Sequence, residues 1–181
     1  MGIMDWFDNP VTSITDSVVK NVFMDKVKPK VGSILKVDIG LWFANHTGIY
    51  IGNNQIVELY NDDGIATIRI VSPMKFLRGE ADSLARYGSY IYCACYDDEV
   101  LGAYEIAERA KNAVGNVDLY AVFGGKNCHG FTSYCITGRE SSKTSDIILL
   151  DVENSLEKYF GLGNKGIIWR STGNFYKSKP L

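Results

Sequence analysis

The fold is decided by residues 46–60, which have the sequence HTGIYIGNNQIVELY. Apolar residues recur at every second position on both sides of the turn residues 52–54, and this pattern is typical of a β-hairpin. Because successive side chains point to opposite faces of a strand, His46, Gly48 and Tyr50 share one face of the first strand. The opposite face is apolar, so the sequence predicts one core-facing side and one side suited to a functional site.

The length of the hairpin turn decides whether Glu58 lies near His46. With a three-residue turn, the numbers of paired residues sum to 106, and Glu58 lies diagonally from His46 on the same face. With a two-residue turn the sum is odd, and Glu58 points away. A carboxylate beside an imidazole holds its tautomer and stabilises the imidazolium. Taken alone, His46 also fits a hydrogen-bonded core or surface histidine, and Glu58 fits a solvated strand carboxylate.

The rest of the chain predicts an α+β fold with a mostly antiparallel sheet packed against helices. Further strands are expected at 34–37, 65–71 and 89–96, and helices at 10–26, 73–77, 97–115, 128–136 and 154–160. The strands come first and the helices follow without regular alternation, which indicates the α+β class. We expect a single domain with an N-terminal helical extension at 1–29, a core at 30–139 and a peripheral C-terminal extension at 140–181.

The composition excludes several classes of protein. The 181 residues carry a formal net charge of −2 and no run of Lys and Arg, so the chain lacks the basic surface that nucleic-acid binding requires. With 46% hydrophobic residues, it can bury a core without disulfide bonds. It has neither the pattern of a signal peptide nor an apolar run of the ~20 residues that a membrane span needs. We therefore expect a cytoplasmic protein with four free thiols, for which signal-independent secretion stays open.

Cys128 is the strongest candidate for a reactive side chain. Asn127 is a good N-cap and places Cys128 in the first turn of a helix, where unpaired backbone N–H groups favour a thiolate. A thiolate nucleophile needs a base, and the chain has only two histidines, His46 and His129. His46 heads the predicted hairpin and is therefore the candidate base. Without such a partner, Cys128 fits a small buried hydrophobic residue.

A zinc site is the competing interpretation of the same residue types. Cys93, Cys95, Cys128 and His129 supply the ligands of a Cys₃His site. Their spacing is poor, because Cys-x-Cys on a strand and adjacent Cys-His on a helix do not match the usual ligand intervals. We therefore expect no metal, and we expect Cys93 and Cys95 to belong to the core.

Three segments resemble the lecithin:retinol acyltransferase-like proteins, which belong to the circularly permuted branch of the NlpC/P60 papain-like superfamily. These segments are GSILKV at 32–37, HTGIYIG at 46–52 and NCHGF at 127–131. The similarity extends over about 30–139. The resemblance implies a permuted NlpC/P60 fold, in which the histidine motif precedes the cysteine motif along the chain.

The resemblance also implies that Cys128 is the nucleophile, His46 the base and Glu58 the third, polar member of a catalytic triad. The chain departs from the vertebrate members, which usually have a second histidine in place of Glu58 and Glu-His in place of His129-Gly130. A carboxylate third member is tolerated in the wider superfamily. The hydrophobic C-terminal anchor of the vertebrate acyltransferases is missing, so the resemblance implies at most a transient contact with membranes.

Four further residues are candidates for supporting the substrate or an oxyanion: Tyr50, Asn127, His129 and Trp42. Tyr50 shares the strand face of His46, and the other three lie close in sequence to Cys128 or His46. Trp42 suits a substrate wall, and His129 has no defined role. Ordinary packing in the core is the alternative for Tyr50 and Trp42.

These residues predict a thiol-dependent hydrolase or acyltransferase that acts through an acyl-cysteine intermediate without a cofactor, and the resemblance implies a lipid-like ester as its substrate. One alternative is a cysteine peptidase or amidase on a peptide or peptidoglycan substrate, such as a secreted bacterial toxin. Another is a catalytically idle member that binds a lipid or a protein. A long apolar pocket would favour an acyl substrate, and an open, polar-rimmed groove would favour a peptide. The sequence does not determine the oligomeric state.

Overall fold

The computed structural model describes residues 26–39, 44–79, 90–119, 126–139, 149–163 and 166–173. Trp42 and the expected N-terminal helix at 10–26, apart from its last residue, lie outside this part of the chain.

The described residues form an α+β structure built on one antiparallel sheet. Its strands are β1 (Ile34–Ile39), β2 (Ala44–Gly52), β3 (Gln55–Asp62), β4 (Ile65–Val71), β5 (Tyr92–Tyr96), β6 (Glu99–Val100), β7 (Val117–Leu119) and β8 (Ile168–Ser171). The strand order is β6-β5-β1-β2-β3-β4-β7, and β8 pairs with β5. The helices are α1 (Pro73–Arg78), α2 (Tyr104–Asn112), α3 (Cys128–Thr137) and α4 (Leu149–Phe160). The predicted fold class is thereby confirmed.

Helices cover both faces of the sheet. Ile49 and Val57 lie on one face and form a core cluster with α2, α3 and α4. Tyr50 and Ile56 lie on the other face and pack with Phe76 of α1. The predicted alternation in the hairpin therefore divides its side chains between two buried layers. The sequence pattern predicts only one core-facing side, whereas the structure buries both.

The β2–β3 hairpin has the register that brings Glu58 to the face of His46. Paired residues sum to 106 over most of the hairpin, as at Gly48–Glu58. The turn itself has two residues, Asn53-Asn54, and both have positive φ, as the tight turns between twisted strands require. A β-bulge between Tyr50 and Gly52 contributes the extra residue that restores the even sum.

Two helices begin where their capping residues predict. The side chain of Ser72 accepts a hydrogen bond from the Lys75 N–H group at the start of α1, where Pro73 is the first helical residue. Helix α3 begins at Cys128, and Gly138 follows its last residue, Thr137. The left-handed conformation of Gly138, with φ of 71°, is typical of the residue that ends a helix.

The helix predicted at 97–115 begins seven residues later than expected, so the prediction is wrong for residues 97–103. Asp97-Asp98 forms a tight turn, and β6 follows it and pairs with β5. Helix α2 begins only at Tyr104. The acidic residues that resembled a helix start therefore belong to a hairpin, in which the Leu101 N–H group donates to the Ala94 carbonyl oxygen at 3.0 Å.

The C-terminal region differs from the expected peripheral placement. Helix α4 is longer than the predicted 154–160 and buries Val152 and Leu156 completely in the core. Strand β8 extends the sheet by pairing with β5. The Trp169 indole N–H group also donates to Glu153 Oε1 at 2.6 Å, which connects β8 to α4. These elements are therefore integral to the described core.

Candidate active site

The start of α3 holds Cys128 in a defined position. Asn127 Oδ1 accepts a hydrogen bond from the Gly130 N–H group at 2.9 Å, which is the N-cap arrangement that the sequence predicts. Asn127 is almost fully buried. It therefore acts as the cap that places Cys128 at the first position of the helix, next to backbone N–H groups that have no intrahelical partner.

Strand β2 has an open hydrogen-bonding edge next to Cys128. Tyr50 exchanges backbone hydrogen bonds with Gly32 and Ser33 on the β1 side, so the odd-numbered residues of β2 direct their backbone groups toward β3. The pairing with β3 extends only to Gly48–Glu58, whereas β2 continues back to Ala44. The backbone groups of residues 45 and 47 therefore face a gap between the two strands.

The thiol of Cys128 occupies this gap. Its Sγ lies 3.9 Å from the Asn45 carbonyl oxygen, and the Thr47 N–H group donates to it. The Thr47 hydroxyl donates to the Cys128 carbonyl oxygen at 3.1 Å and lies 2.9 Å from the Thr132 hydroxyl. The first turn of α3 thus takes the place of β3 along this part of β2. Sequence reasoning missed both threonines.

His46 and Glu58 form a buried pair beside the thiol. His46 Nε2 lies 2.8 Å from Glu58 Oε2, and Glu58 is fully buried. The His46 ring packs against Phe76, with 5.3 Å between the ring centroids. His46 also makes a hydrogen bond to Cys128. Because Nε2 is engaged by Glu58, Nδ1 is the ring nitrogen available to the thiol. The structure thus brings together the three residues singled out in the sequence.

The surroundings of Cys128 favour its thiolate. Burial raises the pKa of the thiol, but four contributions outweigh it: the charge on His46, the hydrogen bond with His46, the charge on His129 and the Thr47 N–H group. Together they lower the pKa of Cys128 to about 6. The thiol is therefore largely ionised at neutral pH, which makes it a nucleophile.

Arg69 completes the polar chain, and sequence reasoning missed it. It pairs with Glu58 across β3 and β4, and its Nε and Nη2 atoms donate to Glu58 Oε1 at 3.0 and 2.8 Å. Its guanidinium carbon lies 3.7 Å from the centroid of the Tyr60 ring. The sequence did hold a signal, because Asp63-Gly64 is typical of a two-residue hairpin turn that sets Arg69 opposite Glu58.

The other candidate residues occupy different positions. Tyr50 is buried in the core cluster that packs against α1. His129 is almost fully buried in α3 and acts on Cys128 through its charge. Trp42 lies outside the described residues.

The described residues place no group of three or more His, Cys, Asp or Glu side chains where they would hold a metal ion. Cys93 and Cys95 are fully buried in β5, as expected, and neither contacts Cys128 or His129 among the hydrogen bonds of the described residues. The zinc interpretation therefore has no support from this part of the chain.

A cavity of about 670 Å³ opens beside α3. Gly130 and Phe131, which follow Cys128 closely in the helix, belong to its wall. Its apolar lining includes Leu59, Ala66, Ile68 and Phe131, and its polar lining includes Arg109, Asn112, Asp118 and Lys126. The volume is in the usual range for small-molecule sites. The lining combines the apolar surface expected for an acyl group with the polar rim expected for a peptide.

None of the helices in the described ranges has both the length and the apolar character required to cross a membrane.

Comparison with protein families places the chain in one of them. A family model described as lecithin retinol acyltransferase matches residues 27–141, a span that includes His46, Glu58, Arg69 and Cys128. A comparison with curated proteins finds no match. The matched family is one of acyltransferases in lipid metabolism. Because the match covers more than half of the chain, the protein belongs to the lecithin retinol acyltransferase family.

Proposed function

We propose that the protein is a thiol-dependent acyltransferase or hydrolase that transfers an acyl group from a lipid-like ester through an acyl-cysteine intermediate. The observation that carries this proposal is the continuous contact from Cys128 through His46 to Glu58, which accompanies the lowered pKa of the Cys128 thiol. Membership of a family of lipid acyltransferases supports the ester substrate. We also propose that the reaction takes place in the cytoplasm.

The proposed reaction begins with Cys128 as thiolate and His46 as imidazolium. The sulfur attacks the ester carbonyl carbon, and the negative charge moves to the carbonyl oxygen, where first-turn N–H groups of α3 stabilise it. When the tetrahedral intermediate collapses, the ester C–O bond breaks and His46 donates its proton to the leaving alkoxide. The product is a thioester on Cys128 and a free alcohol.

The acyl group then leaves the enzyme in a second step. Neutral His46 removes a proton from water or from an acceptor alcohol or amine, which attacks the thioester carbonyl. The C–S bond breaks, and Cys128 returns to the thiolate with His46 as imidazolium. Glu58 orients the ring and stabilises its positive charge in both steps. This chemistry uses no metal or organic cofactor.

We place the acyl-bearing part of such a substrate in the cavity beside α3, which is lined by Gly130 and Phe131 of the helix turn that begins at Cys128 but not by Cys128, His46 or Glu58. Ala66, Ile68 and Phe131 provide an apolar surface next to the helix turn that carries Cys128. An alkyl chain buried on this surface gains about 0.8 kcal/mol per methylene group. The polar residues of the lining, such as Arg109 and Lys126, suit the head group of an ester lipid.

The experiment incubates the protein with a short-chain activated ester and follows intact mass. We expect an added acyl group on Cys128 of the parent and of Cys135→Ala, and no addition to Cys128→Ala. Cys135 is a matched control because it lies on the same helix, and burial raises the pKa of its thiol to about 12. The rate of acylation is expected to fall as the pH decreases below about 6, because the Cys128 thiolate takes up a proton.

The proposal loses its support if Cys128→Ala turns over ester as fast as the parent. It also loses its support if no ester acylates Cys128 in the folded parent. A peptide substrate incubated in parallel tests the peptidase alternative, since an acyl-enzyme formed from the peptide alone would assign an amide substrate instead.

A further inference from the structure

Each carboxylate oxygen of Glu58 contacts a different basic side chain. Oε2 contacts Nε2 of His46 at 2.8 Å, and Oε1 accepts two hydrogen bonds from Arg69 at 3.0 and 2.8 Å. The Glu58 side chain has no exposed surface, and that of Arg69 is 23% exposed. A buried carboxylate needs this degree of pairing, because an ionised group removed from water without partners is costly.

The charges along this chain of contacts balance only when Arg69 is included. The reactive form of the proposed site contains two anions, the Cys128 thiolate and the Glu58 carboxylate. His46, as imidazolium, supplies one positive charge. Arg69 supplies the second and is charged at every accessible pH. Without Arg69 the contacts from Cys128 to Glu58 would hold one more negative than positive charge in a buried place, which favours uptake of a proton. His129 in α3 is the other group whose charge acts on Cys128, and it is present in the parent and in every variant.

We propose that Arg69 is a positioning residue of the active site, which keeps Glu58 ionised and aimed at His46 and thereby maintains the Cys128 thiolate at neutral pH. This inference rests on the proposed function, in which the thiolate is the nucleophile. It adds a fourth residue to the three that the hairpin and the helix bring together.

Arg69 is itself held in one orientation by the sheet. It lies directly opposite Glu58 in the antiparallel pairing of β3 and β4. Its guanidinium lies over the Tyr60 ring at 3.7 Å from the centroid, and an aromatic face attracts a cation at this distance. Both Arg69 donors contact the same carboxylate oxygen, which leaves the other oxygen to His46.

Two substitutions separate the charge of Arg69 from its hydrogen bonds. Arg69→Gln keeps an amide donor and removes the charge, whereas Arg69→Lys keeps the charge. Arg170→Gln is the matched control, because Arg170 is also a strand arginine in an ion pair, with Asp98 at 3.0 Å, but it lies in β8 at a distant part of the sheet.

The readout is the rate at which iodoacetamide alkylates Cys128 as a function of pH, measured by peptide mass spectrometry. This rate follows the thiolate fraction and needs no substrate. We expect the midpoint of the parent at about pH 6. Arg69→Gln should shift the midpoint upward by about one unit, in the range that a neighbouring charge produces. Arg69→Lys should return it toward the parent value, and Arg170→Gln should leave it unchanged.

The outcomes distinguish the inference from the proposed function. If folded Arg69→Gln has the midpoint of the parent, Arg69 does not maintain the thiolate, while the role of Cys128 stands. If the parent itself has no midpoint near pH 6, the proposed nucleophile fails first. If Arg69→Gln does not fold, the ionisation of Glu58 is instead measured in the carbon-labelled parent by NMR as a function of pH. A Glu58 carboxylate that stays ionised from about pH 5 to about pH 8 supports the inference, and protonation in that range contradicts it.

Discussion

The thiols of Cys128 and Cys135 lie on the same helix but differ strongly in pKa. The two residues lie in α3, yet the pKa of the first is lowered to about 6 and that of the second is raised to about 12. Burial raises both pKa values. Cys128 has His46 and the Thr47 N–H group to stabilise its thiolate, whereas Cys135 has only the more weakly acting charge of Arg109. Position at the helix start and contact with β2 therefore decide which cysteine can react.

The same reasoning explains the pairing of Glu58 with an arginine. A neutral histidine at this position would add no charge to the site. A carboxylate does add a charge, and the buried position of Glu58 requires that this charge be compensated. The carboxylate at position 58 is therefore stabilised by the arginine opposite it on β4.

Thr47 provides a test of how β2 holds the start of α3. Thr47→Val removes the hydroxyl that bonds the Cys128 carbonyl oxygen and the Thr132 hydroxyl, and both threonines are fully buried. We expect it to lower the free energy of unfolding by about 1–3 kcal/mol, because it leaves buried polar groups without their partner. Urea unfolding measures this change.

A double-mutant cycle with Thr132→Val gives the control for this prediction. Once Thr132 is also replaced, one of the two groups left without a partner is gone, so the double variant should lose less than the sum of the single variants. Strict additivity would contradict a direct contact between the two hydroxyls.

At the scale of elements, the contact of β2 with β3 and α1 depends on Gly48. A Cβ atom at this position would lie 2.8 Å from Phe76 Cε2 and 2.9 Å from the Val57 carbonyl oxygen, which is backbone and does not rotate away. Gly48→Ala should therefore destabilise the protein by about 1–3 kcal/mol, the usual cost of overpacking. It should also slow acylation of Cys128, because it separates β2 from the strand that carries Glu58.

Thermal unfolding and the rate of ester acylation measure the two effects of Gly48→Ala. Gly64→Asn is the matched control, since Gly64 has open space around its Cβ position and a positive φ that asparagine tolerates. If both glycine variants slow acylation equally, close packing at Gly48 does not position the site.

Several elements of this architecture could be predicted from the sequence because their signals are local. The hairpin alternation, the cap at Ser72 and the cap at Asn127 each involve residues a few positions apart. The β-bulge at Tyr50–Gly52 could not be predicted, because it depends on how two strands twist against each other. The turn at Asp97-Asp98 was mistaken for a helix start, since acidic residues favour both.

The candidate site was predicted in part for the same reason. The even sum of paired residue numbers in β2 and β3 places His46 and Glu58 on one face of the sheet. The Asn127 cap places Cys128 at a helix start. Their meeting depends on the gap between β2 and β3, which is a tertiary feature. The same counting of paired residues places Arg69 opposite Glu58. However, no sequence pattern distinguishes this arginine from one on a solvent-exposed strand, so its contact with a buried carboxylate could not be predicted.

At the scale of the whole molecule, the region after the family match supports the helix that carries Cys128. The match ends at residue 141, and α4 lies beyond it. Helix α4 packs against α3, and its Val152 and Leu156 belong to the same core cluster as Phe131 and Cys135. The C-terminal elements therefore complete the layer of helices on one face of the sheet, so they should contribute to the stability of the entire core.

Leu156→Ala tests this contribution. Leu156 is fully buried, so its truncation leaves a cavity between α4 and α3 and should lower the free energy of unfolding by about 2–5 kcal/mol in urea. Leu150→Ala is the control from the same helix, because Leu150 is 55% exposed and should lose far less. Equal losses in the two variants would mean that α4 is peripheral. A larger loss for Leu156→Ala, with a single unfolding transition that also exposes Cys128 to alkylation, would show that α4 unfolds together with the active site.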